Sequence, residues 1–243
     1  MSVLQVIPRA GLCNRLRAVL CGIGAAEATG RRLVVTWRAG VAFDATMGDL
    51  WSQHPAEGGS EPGVDVETVE GGSVFAEDVQ PRPWIDNYRT NFKLQPALRA
   101  RVHRVRARLR GGRPLVGVAV RAHRHAHELT KMHSPPEWYE ARLEQILADC
   151  PGSAVFVSVD VPEIAENWRR RWPQIVTLPR KGEYGTVRGC QDALCDLHVL
   201  ARCDYLLGAH WSSLSSMAAL LQGSGAYETS MAAASIPLEA TAC

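Results

Sequence analysis

The sequence lacks the features that mark membrane, secreted and nucleic-acid-binding proteins. No apolar run approaches the ~18 residues needed to cross a bilayer. The opening residues, MSVLQVIPRAGLCNR, contain no basic stretch followed by a long apolar core, so we expect no secretion signal and a cytoplasmic location. The formal net charge is only +2, which gives no global electrostatic case for nucleic acid. We therefore expect neither a membrane nor a nucleic-acid partner.

Several catalytic motifs are also absent. Without a GxxxxGK(S/T) phosphate loop, NTPase chemistry has no support. No GxGxxG follows a strand, which argues against a dinucleotide oxidoreductase, and no GxSxG elbow supplies a hydrolase nucleophile. No Asp-x-Asp pair follows a strand to hold a metal-bound sugar nucleotide. A nucleotide diphosphate bound here would therefore be neutralised by arginine and a helix dipole instead of Mg²⁺.

A metal-binding or disulfide-stabilised protein is not favoured either. The chain has seven cysteines, an odd number scattered through apolar segments, which is typical of reduced, buried thiols. Two groups of residues nevertheless resemble metal ligands, namely His123, His125 and His127, and Cys190, Cys195, His198 and Cys203. The second group lies largely on one predicted helix and matches no closed zinc pattern. We expect no metal cofactor, with a zinc-dependent enzyme as a less favoured alternative.

What is present is an α/β pattern. The 243 residues are 46% hydrophobic, enough for one large domain or two compact lobes. Ser2 to Ile7 and Leu33 to Trp37 are predicted strands, with a helix between them that Gly30 ends, which makes a β-α-β unit. An arginine-rich helix over Leu98 to Arg110 presents one apolar face. We place the lobe boundary shortly before it, giving lobes at 1–95 and 96–243.

The loop of the first unit, from Arg9 to Arg17, carries Asn14 and Arg15 around a glycine. One interpretation is a turn that presents an amide and guanidinium groups to an anion or a sugar. The other is that Asn14 caps the helix while the arginines face water. The residues alone do not separate the two.

The second half contains three buried strands that end in polar residues. Pro114 to Val120 ends at Arg121, and an arginine there is costly to desolvate unless it meets an anion such as a pyrophosphate. Ala154 to Val159 ends at Asp160, which could accept hydrogen bonds from a base or ribose at the same sheet edge. Tyr205 to Gly208 ends in a serine-rich turn before another helix, whose amino terminus could receive an anion. Alternatively, these serines only cap that helix.

Three segments resemble the α1,6- and nodulation-type fucosyltransferases and their protein O-fucosyltransferase relatives. They are GLCNRLRAVLCGIGAAEATGRRLVVTW, VGVAVR and CDLHVLARCDYLLGAHWSSLSSMAALL. The resemblance covers roughly the first fifty residues and most of the chain from Pro114 to Leu221. It implies a GT-B-like fold of two small Rossmann-like lobes, with the acceptor on the amino-terminal side. It also implies an inverting, metal-independent transfer from a GDP-sugar, most simply GDP-fucose.

The resemblance also implies roles for individual residues. Arg121 corresponds to the arginine that holds the donor's β-phosphate, and Asn14 lies in a glycine turn that resembles the family's amino-terminal turn facing the cleft. The predicted nucleotide-sugar-binding residues are Asn14, Arg15, Arg121, Asp160, Asp196, His210, Ser212 and Ser213. The predicted catalytic residues are Arg121, His123 and Glu128. His127 and His210 are further candidates for a base that deprotonates the acceptor, which could be a glycan, a peptide or a small natural product.

One departure from the family pattern keeps a second function open. The family's His-Val-Arg-Arg-Thr-Asp corresponds here to AVRAHR, residues 119–124, so the histidine, the second arginine and the aspartate are replaced. The alternative is therefore a nucleotide-sugar-binding protein without transfer activity.

Overall fold

The structure, a computed structural model, describes residues 2–40, 43–59, 66–71, 84–111, 113–123, 126–179, 181–223 and 226–231. The chain forms two compact units. The first comprises Met1–Arg99 and Gly182–Leu194, and the second comprises Ala100–Lys181 and Cys195–Cys243. The sequence analysis had assigned Gly182–Leu194 to the carboxyl-terminal lobe.

A β-α-β unit begins the first unit. It contains β1 (Val3–Pro8), α1 (Leu12–Thr29) and β2 (Arg32–Val35), and β4 (Val66–Gly71) is the third strand of its sheet. The sheet order is β2-β1-β4, and both pairings are parallel. Gly30 ends α1 in a left-handed conformation at φ 63°, as the sequence predicts. The predicted β-α-β unit is therefore present.

An aromatic cluster completes the core of the first unit. It lies among the remaining elements, α2 (Met47–Leu50), β3 (Trp51–Gln53), α3 (Trp84–Asn91) and β5 (Lys93–Leu94). Trp51 donates its indole N–H to the Tyr88 hydroxyl at 3.0 Å, and the rings of Tyr88 and Phe92 stack at 5.1 Å. Tyr88 and Phe92 are thus core residues.

The second unit is built on a five-stranded, wholly parallel sheet in the order β10-β9-β6-β7-β8. Its strands are β6 (Leu115–Val120), β7 (Ala154–Val159), β8 (Ile175–Val176), β9 (Tyr205–Gly208) and β10 (Ala226–Glu228). β7 and β9 have the bounds predicted from sequence, and every residue of β6, β7 and β9 is buried. Tyr227 lies in β10, and residues 232–243 lie outside the described part.

The remaining helices of the described chain are α4 (Pro96–Arg108), α5 (Glu128–His133), α6 (Pro136–Asp149), α7 (Pro162–Arg171), α8 (Val187–Leu200) and α9 (Ser213–Gln222). α8 begins earlier than its apolar spacing predicts because Thr186 caps it, accepting the Gly189 N–H at 3.0 Å. The buried core joins Val118, Val157 and Leu207 of the sheet to Tyr139 and Leu143 of α6. This core holds the central strands β6, β7 and β9 in place.

Candidate active site

The strand register brings the predicted site residues of the second unit together. Ala119 is level with Gly208 of β9, and Val120 is level with Val159 of β7. Because the strands are parallel, their next residues leave the sheet at one edge, which is the usual ligand-binding edge of open α/β sheets. Arg121 therefore lies between Asp160 on one side and the β9–α9 turn on the other.

Asp160 organises the loop that carries Arg121. Its Oδ1 accepts the backbone N–H groups of Ala122 at 2.8 Å and His123 at 3.1 Å. Its Oδ2 lies 3.4 Å from the Arg121 guanidinium and 3.6 Å from His123 Nε2. Oδ1 thus accepts two hydrogen bonds from the loop, whereas Oδ2 makes no hydrogen bond to a described residue and lies only within ion-pair distance of Arg121 and His123. The structure supports a positioning role for Asp160 more directly than the predicted hydrogen bond to a base or ribose.

Arg121 and His123 lie at the same edge of the sheet, beside Asp160. The Arg121 side chain is 32% exposed although it follows a fully buried strand, so its guanidinium reaches the surface at the sheet edge. His123 is more enclosed and faces the same carboxylate.

Glu128 is a weaker candidate for the acceptor base. It is the first residue of α5, with a side chain that is 81% exposed and pairs with Lys131 at 2.8 Å. The hydrogen bond and the positive charge of Lys131 lower the pKa of the Glu128 carboxyl. A carboxylate with a lowered pKa is a poorer base, so the structure favours His123 over Glu128 for this role.

The turn between β9 and α9 is fixed at His210. Its backbone N–H donates to the Ser134 hydroxyl at 2.9 Å, and its carbonyl accepts from the Thr130 hydroxyl at 2.9 Å. Thr130 and Ser134 are both buried, so these two bonds anchor the turn to the interior. The His210 ring packs edge-on against His133 at 5.3 Å between centroids.

The amino terminus of α9 has donors for a ligand. Ser212 is the N-cap residue but makes no side-chain cap, so the first N–H groups of α9 lack that usual partner. The first helical bond runs from the Ser216 N–H to the Ser212 carbonyl, and the Ser215 and Ser216 hydroxyls also donate to that carbonyl. None of these serine side chains therefore caps α9 by accepting one of its first N–H groups in the described structure. Ser212 and Ser213 stay the predicted donor-binding pair.

Trp211 is a feature of this turn that the sequence analysis missed. Its φ is +60° and its side chain is 66% exposed, between the rings of His127 at 5.9 Å and His210 at 6.1 Å. The available signal was a large aromatic residue in a polar turn directly after a buried strand.

Asp196 lies deeper than predicted. Its side chain is only 2% exposed, and its Oδ2 accepts from the Ser158 hydroxyl and pairs with the Lys181 ammonium. Lys181 also donates to the Val159 carbonyl at 2.9 Å, which places its charge beside the end of β7. Asp196 is therefore positioned to hold Lys181, and Lys181 is a second cation near this edge that the sequence analysis missed.

Arg15, in the first unit, does not match its predicted role in donor binding. Its side chain is buried and donates to the Ala10 carbonyl at 2.7 Å and the Arg38 carbonyl at 2.8 Å. The guanidinium lies 4.4 Å from the centroid of the Phe43 ring and 5.2 Å from that of Trp37. Burial lowers the pKa of Arg15. Arg15 is a structural clamp for the loop.

Asn14 keeps a placement that suits a ligand. Gly11 is the N-cap of α1, so Asn14 lies inside the first turn and does not cap the helix. Asn14 and Arg17 are partly exposed on a helix whose other residues near the amino end are mostly buried, and their spacing puts them on one face. The capping alternative for Asn14 is thus wrong.

The residues considered as metal ligands do not converge in the described part of the chain. There, no group of three or more His, Cys, Asp or Glu side chains is arranged to hold a metal. His125 lies outside the described residues. Five cysteines are buried thiols, namely Cys13, Cys21, Cys190, Cys195 and Cys203.

No described helix combines the length and apolarity that a membrane span requires.

Sequence comparisons give no match, but structural comparisons do. No family model and no curated protein sequence matches the chain. The fucosyltransferase NodZ from Bradyrhizobium superposes with a TM-score of 0.65 at 16% identity, over 90% of this chain and 93% of that one. In another structure of NodZ alpha-1,6-fucosyltransferase, soaked with GDP-fucose, the TM-score is 0.64 at 17% identity, over 90% of this chain and 92% of that one.

Two further fucosyltransferase-related structures share the fold. A mutant of Arabidopsis thaliana FUT1 in complex with GDP superposes with a TM-score of 0.64 at 14% identity, over 94% of this chain and 70% of that one. POFUT1 in complex with GDP gives 0.55 at 12% identity, over 94% and 98%. The GT-B-like α/β fold predicted from the three motifs is thereby confirmed.

Proposed function

We propose that this protein is a glycosyltransferase that moves a sugar from a GDP-sugar, most simply GDP-fucose, to an acceptor hydroxyl. The observation that carries the proposal is Arg121, held by Asp160 at the carboxyl edge of a parallel sheet beside the amino terminus of α9. The fold adds support, because solved structures that share it contain GDP or were soaked with GDP-fucose.

The diphosphate is the part of the donor that this site suits best. The guanidinium of Arg121 matches phosphate oxygens in shape and charge. The first N–H groups of α9, with the hydroxyls of Ser212 and Ser213, supply a further partial positive charge and hydrogen-bond donors. Charge of this kind can neutralise a leaving diphosphate without a divalent ion, so we propose a metal-independent reaction.

We propose direct displacement at the anomeric carbon. The acceptor oxygen forms a bond to C1 as the bond from C1 to the β-phosphate oxygen breaks, and GDP leaves with the electron pair. Attack opposite the leaving group inverts the configuration. Arg121 stabilises the charge that develops on the diphosphate, and His123, oriented by Asp160, accepts the proton of the acceptor hydroxyl.

A binding protein without transfer activity is the second candidate. It is favoured by the sequence at 119–124, where the family's histidine and second arginine are replaced by Ala119 and Ala122. Ala119 lies buried in β6 and offers no polar group to the site. Such a protein would retain Arg121 and the α9 amino terminus, and it would bind GDP-sugars without releasing GDP.

Thermal stabilisation tests the donor. GDP, UDP, ADP and GDP-fucose are compared with and without EDTA. We expect stabilisation by GDP and GDP-fucose that EDTA leaves unchanged. A response to another nucleotide would refute a GDP donor. Destabilisation by EDTA without a nucleotide response would contradict the proposal and favour the zinc-dependent alternative.

A further inference from the structure

We propose that a pyranose ring of the substrate stacks against the indole of Trp211. This proposal rests on the proposed glycosyltransferase function. The ring belongs either to the donor or to the acceptor. This assigns a substrate-positioning role to a residue that no motif of the sequence had singled out.

The backbone conformation of Trp211 is the first observation. A φ of +60° places a bulky residue in the left-handed region, which is sterically unfavourable for any residue that has a Cβ. The neighbouring residue explains how this conformation is maintained, because the Thr130 and Ser134 hydroxyls hold both backbone polar groups of His210. The fold therefore holds Trp211 in an unfavourable backbone conformation. Such strain is found preferentially at ligand-binding positions.

The exposure of Trp211 is the second observation. An indole that is 66% exposed contributes little to the core, so burial does not account for it. His127 and His210 flank it with ring centroids about 6 Å away. The result is an apolar face bordered by groups that form hydrogen bonds. A pyranose has the matching surface, since its C–H groups make an apolar face and its hydroxyls surround that face.

The position of Trp211 along the chain favours a pyranose over the guanine base. Trp211 directly precedes Ser212, and consecutive Cα atoms are about 3.8 Å apart. A ligand group on Trp211 is therefore close to the phosphate that binds at the α9 amino terminus. In a GDP-sugar the pyranose is joined to the β-phosphate, whereas the α-phosphate and the ribose separate the base from it.

The variants Trp211→Gly and Trp211→Phe test the proposal, with Met132→Ala as the control. Met132 lies on α5 and is 68% exposed, so its truncation removes a similarly exposed apolar side chain. Because glycine tolerates a positive φ, we expect Trp211→Gly to melt no lower than the wild type. A clearly lower melting temperature would instead indicate a structural role for the indole and would count against the proposal.

Calorimetry with GDP and GDP-fucose, and binding to an immobilised array of neutral oligosaccharides, then identify the ring. For a donor ring, Trp211→Gly weakens GDP-fucose about 10-fold and leaves GDP unchanged. For an acceptor ring, both nucleotides bind normally and oligosaccharide binding falls about 10-fold. Trp211→Phe stays within about 3-fold of the wild type in either case, because it keeps an aromatic face.

Other outcomes overturn the inference. Equal weakening of GDP and GDP-fucose would mean that the base stacks on Trp211. Unchanged binding of every probe would mean that Trp211 contacts none of them. If the wild type bound no GDP, the proposed function would fail, while the oligosaccharide array would still decide whether Trp211 binds a pyranose.

Discussion

Arg121 is the residue on which the proposed donor site depends most. It follows a fully buried strand, and that sequence context was sufficient to single it out. The sequence could not reveal that Asp160 holds its loop through two backbone N–H groups, because that contact joins residues far apart in the chain. The pairing with Asp160 fixes the guanidinium before a ligand arrives, which reduces the entropy lost on binding.

We expect Arg121→Ala to weaken GDP binding about 10–100-fold, the usual range for losing a hydrogen bond to a charged group. Isothermal calorimetry measures this effect. Arg170→Ala, an exposed arginine on α7 in the same unit, is the control and should bind GDP as the wild type does. Equal affinity for GDP in Arg121→Ala and the control would remove Arg121 from the site.

Arg15 shows that the direction of a side chain is hard to predict from local sequence. In sequence, it resembles its neighbours Arg9 and Arg17, and nothing in the local pattern indicates which arginine turns inward. The aromatic partners Trp37 and Phe43 come from a segment whose path the sequence did not define.

We expect Arg15→Met to lower the free energy of unfolding by about 2–4 kcal/mol, because two backbone carbonyls lose their charged donor in the interior. Urea denaturation measures this, and Arg17→Ala, on a partly exposed position, should change it by less than about 0.5 kcal/mol. Residual folded Arg15→Met should still bind GDP normally. A selective loss of GDP binding at unchanged stability would restore Arg15 to the donor site.

At the scale of elements, short buried strands were the most predictable features. β7 and β9 are short, mainly apolar runs bounded by polar or turn residues, with Ser158 as a polar residue inside β7. This is the pattern expected of strands that are buried on both faces. Helix starts were less predictable, since Thr186 caps α8 well before its apolar spacing begins. The short α5 was not predicted, yet its Thr130 fixes the turn that carries Trp211.

Close packing between α8 and the central strand gives an element-scale prediction. A Cβ added at Gly117 of β6 would lie 2.8 Å from Cys203 Sγ and 3.1 Å from Leu200 Cδ2. We expect Gly117→Ala to cost about 1–3 kcal/mol through overpacking, measured as a lower urea midpoint. Gly152→Ala is the matched control in the same unit, because its Cβ would have only an ordinary contact at 3.6 Å. Equal midpoints for the two variants would contradict this packing.

At the scale of the whole molecule, the two-lobe class was predictable but the division was not. The segment Gly182–Leu194 belongs to the first unit although it follows most of the second along the chain. Its attachment depends on distant contacts, such as the bond from the Gln191 side chain to the Asp49 carbonyl at 3.1 Å. Local sequence patterns do not indicate that a segment late in the chain rejoins the first unit.

The stability of the whole chain should depend on pH through His198. Burial lowers the pKa of His198 to about 4 from an ordinary value of 6.5, and the charge of Arg202 acts in the same direction. The unfolded chain therefore binds a proton more readily than the folded one between these values. The contribution of neutral His198 is complete above pH 6.5 and is lost as the pH falls towards 4, by up to about 3 kcal/mol.

We expect His198→Gln to remove this part of the pH dependence. Urea unfolding of both proteins from pH 7 to pH 4 measures it, and groups common to both cancel in the difference. The wild type should lose more stability than the variant as the pH falls. Parallel curves would show that His198 is protonated as readily in the folded state as in the unfolded one.

The release of GDP from GDP-fucose tests the central claim most directly. Water can replace an unknown acceptor in this assay, so the natural acceptor need not be identified. The account predicts slow release by the wild type, unaffected by EDTA, and about 10²–10³-fold slower release by Arg121→Ala. GDP-fucose that binds but stays intact would instead establish a binding protein without transfer activity. Equal release by wild type and Arg121→Ala would contradict the account of the site.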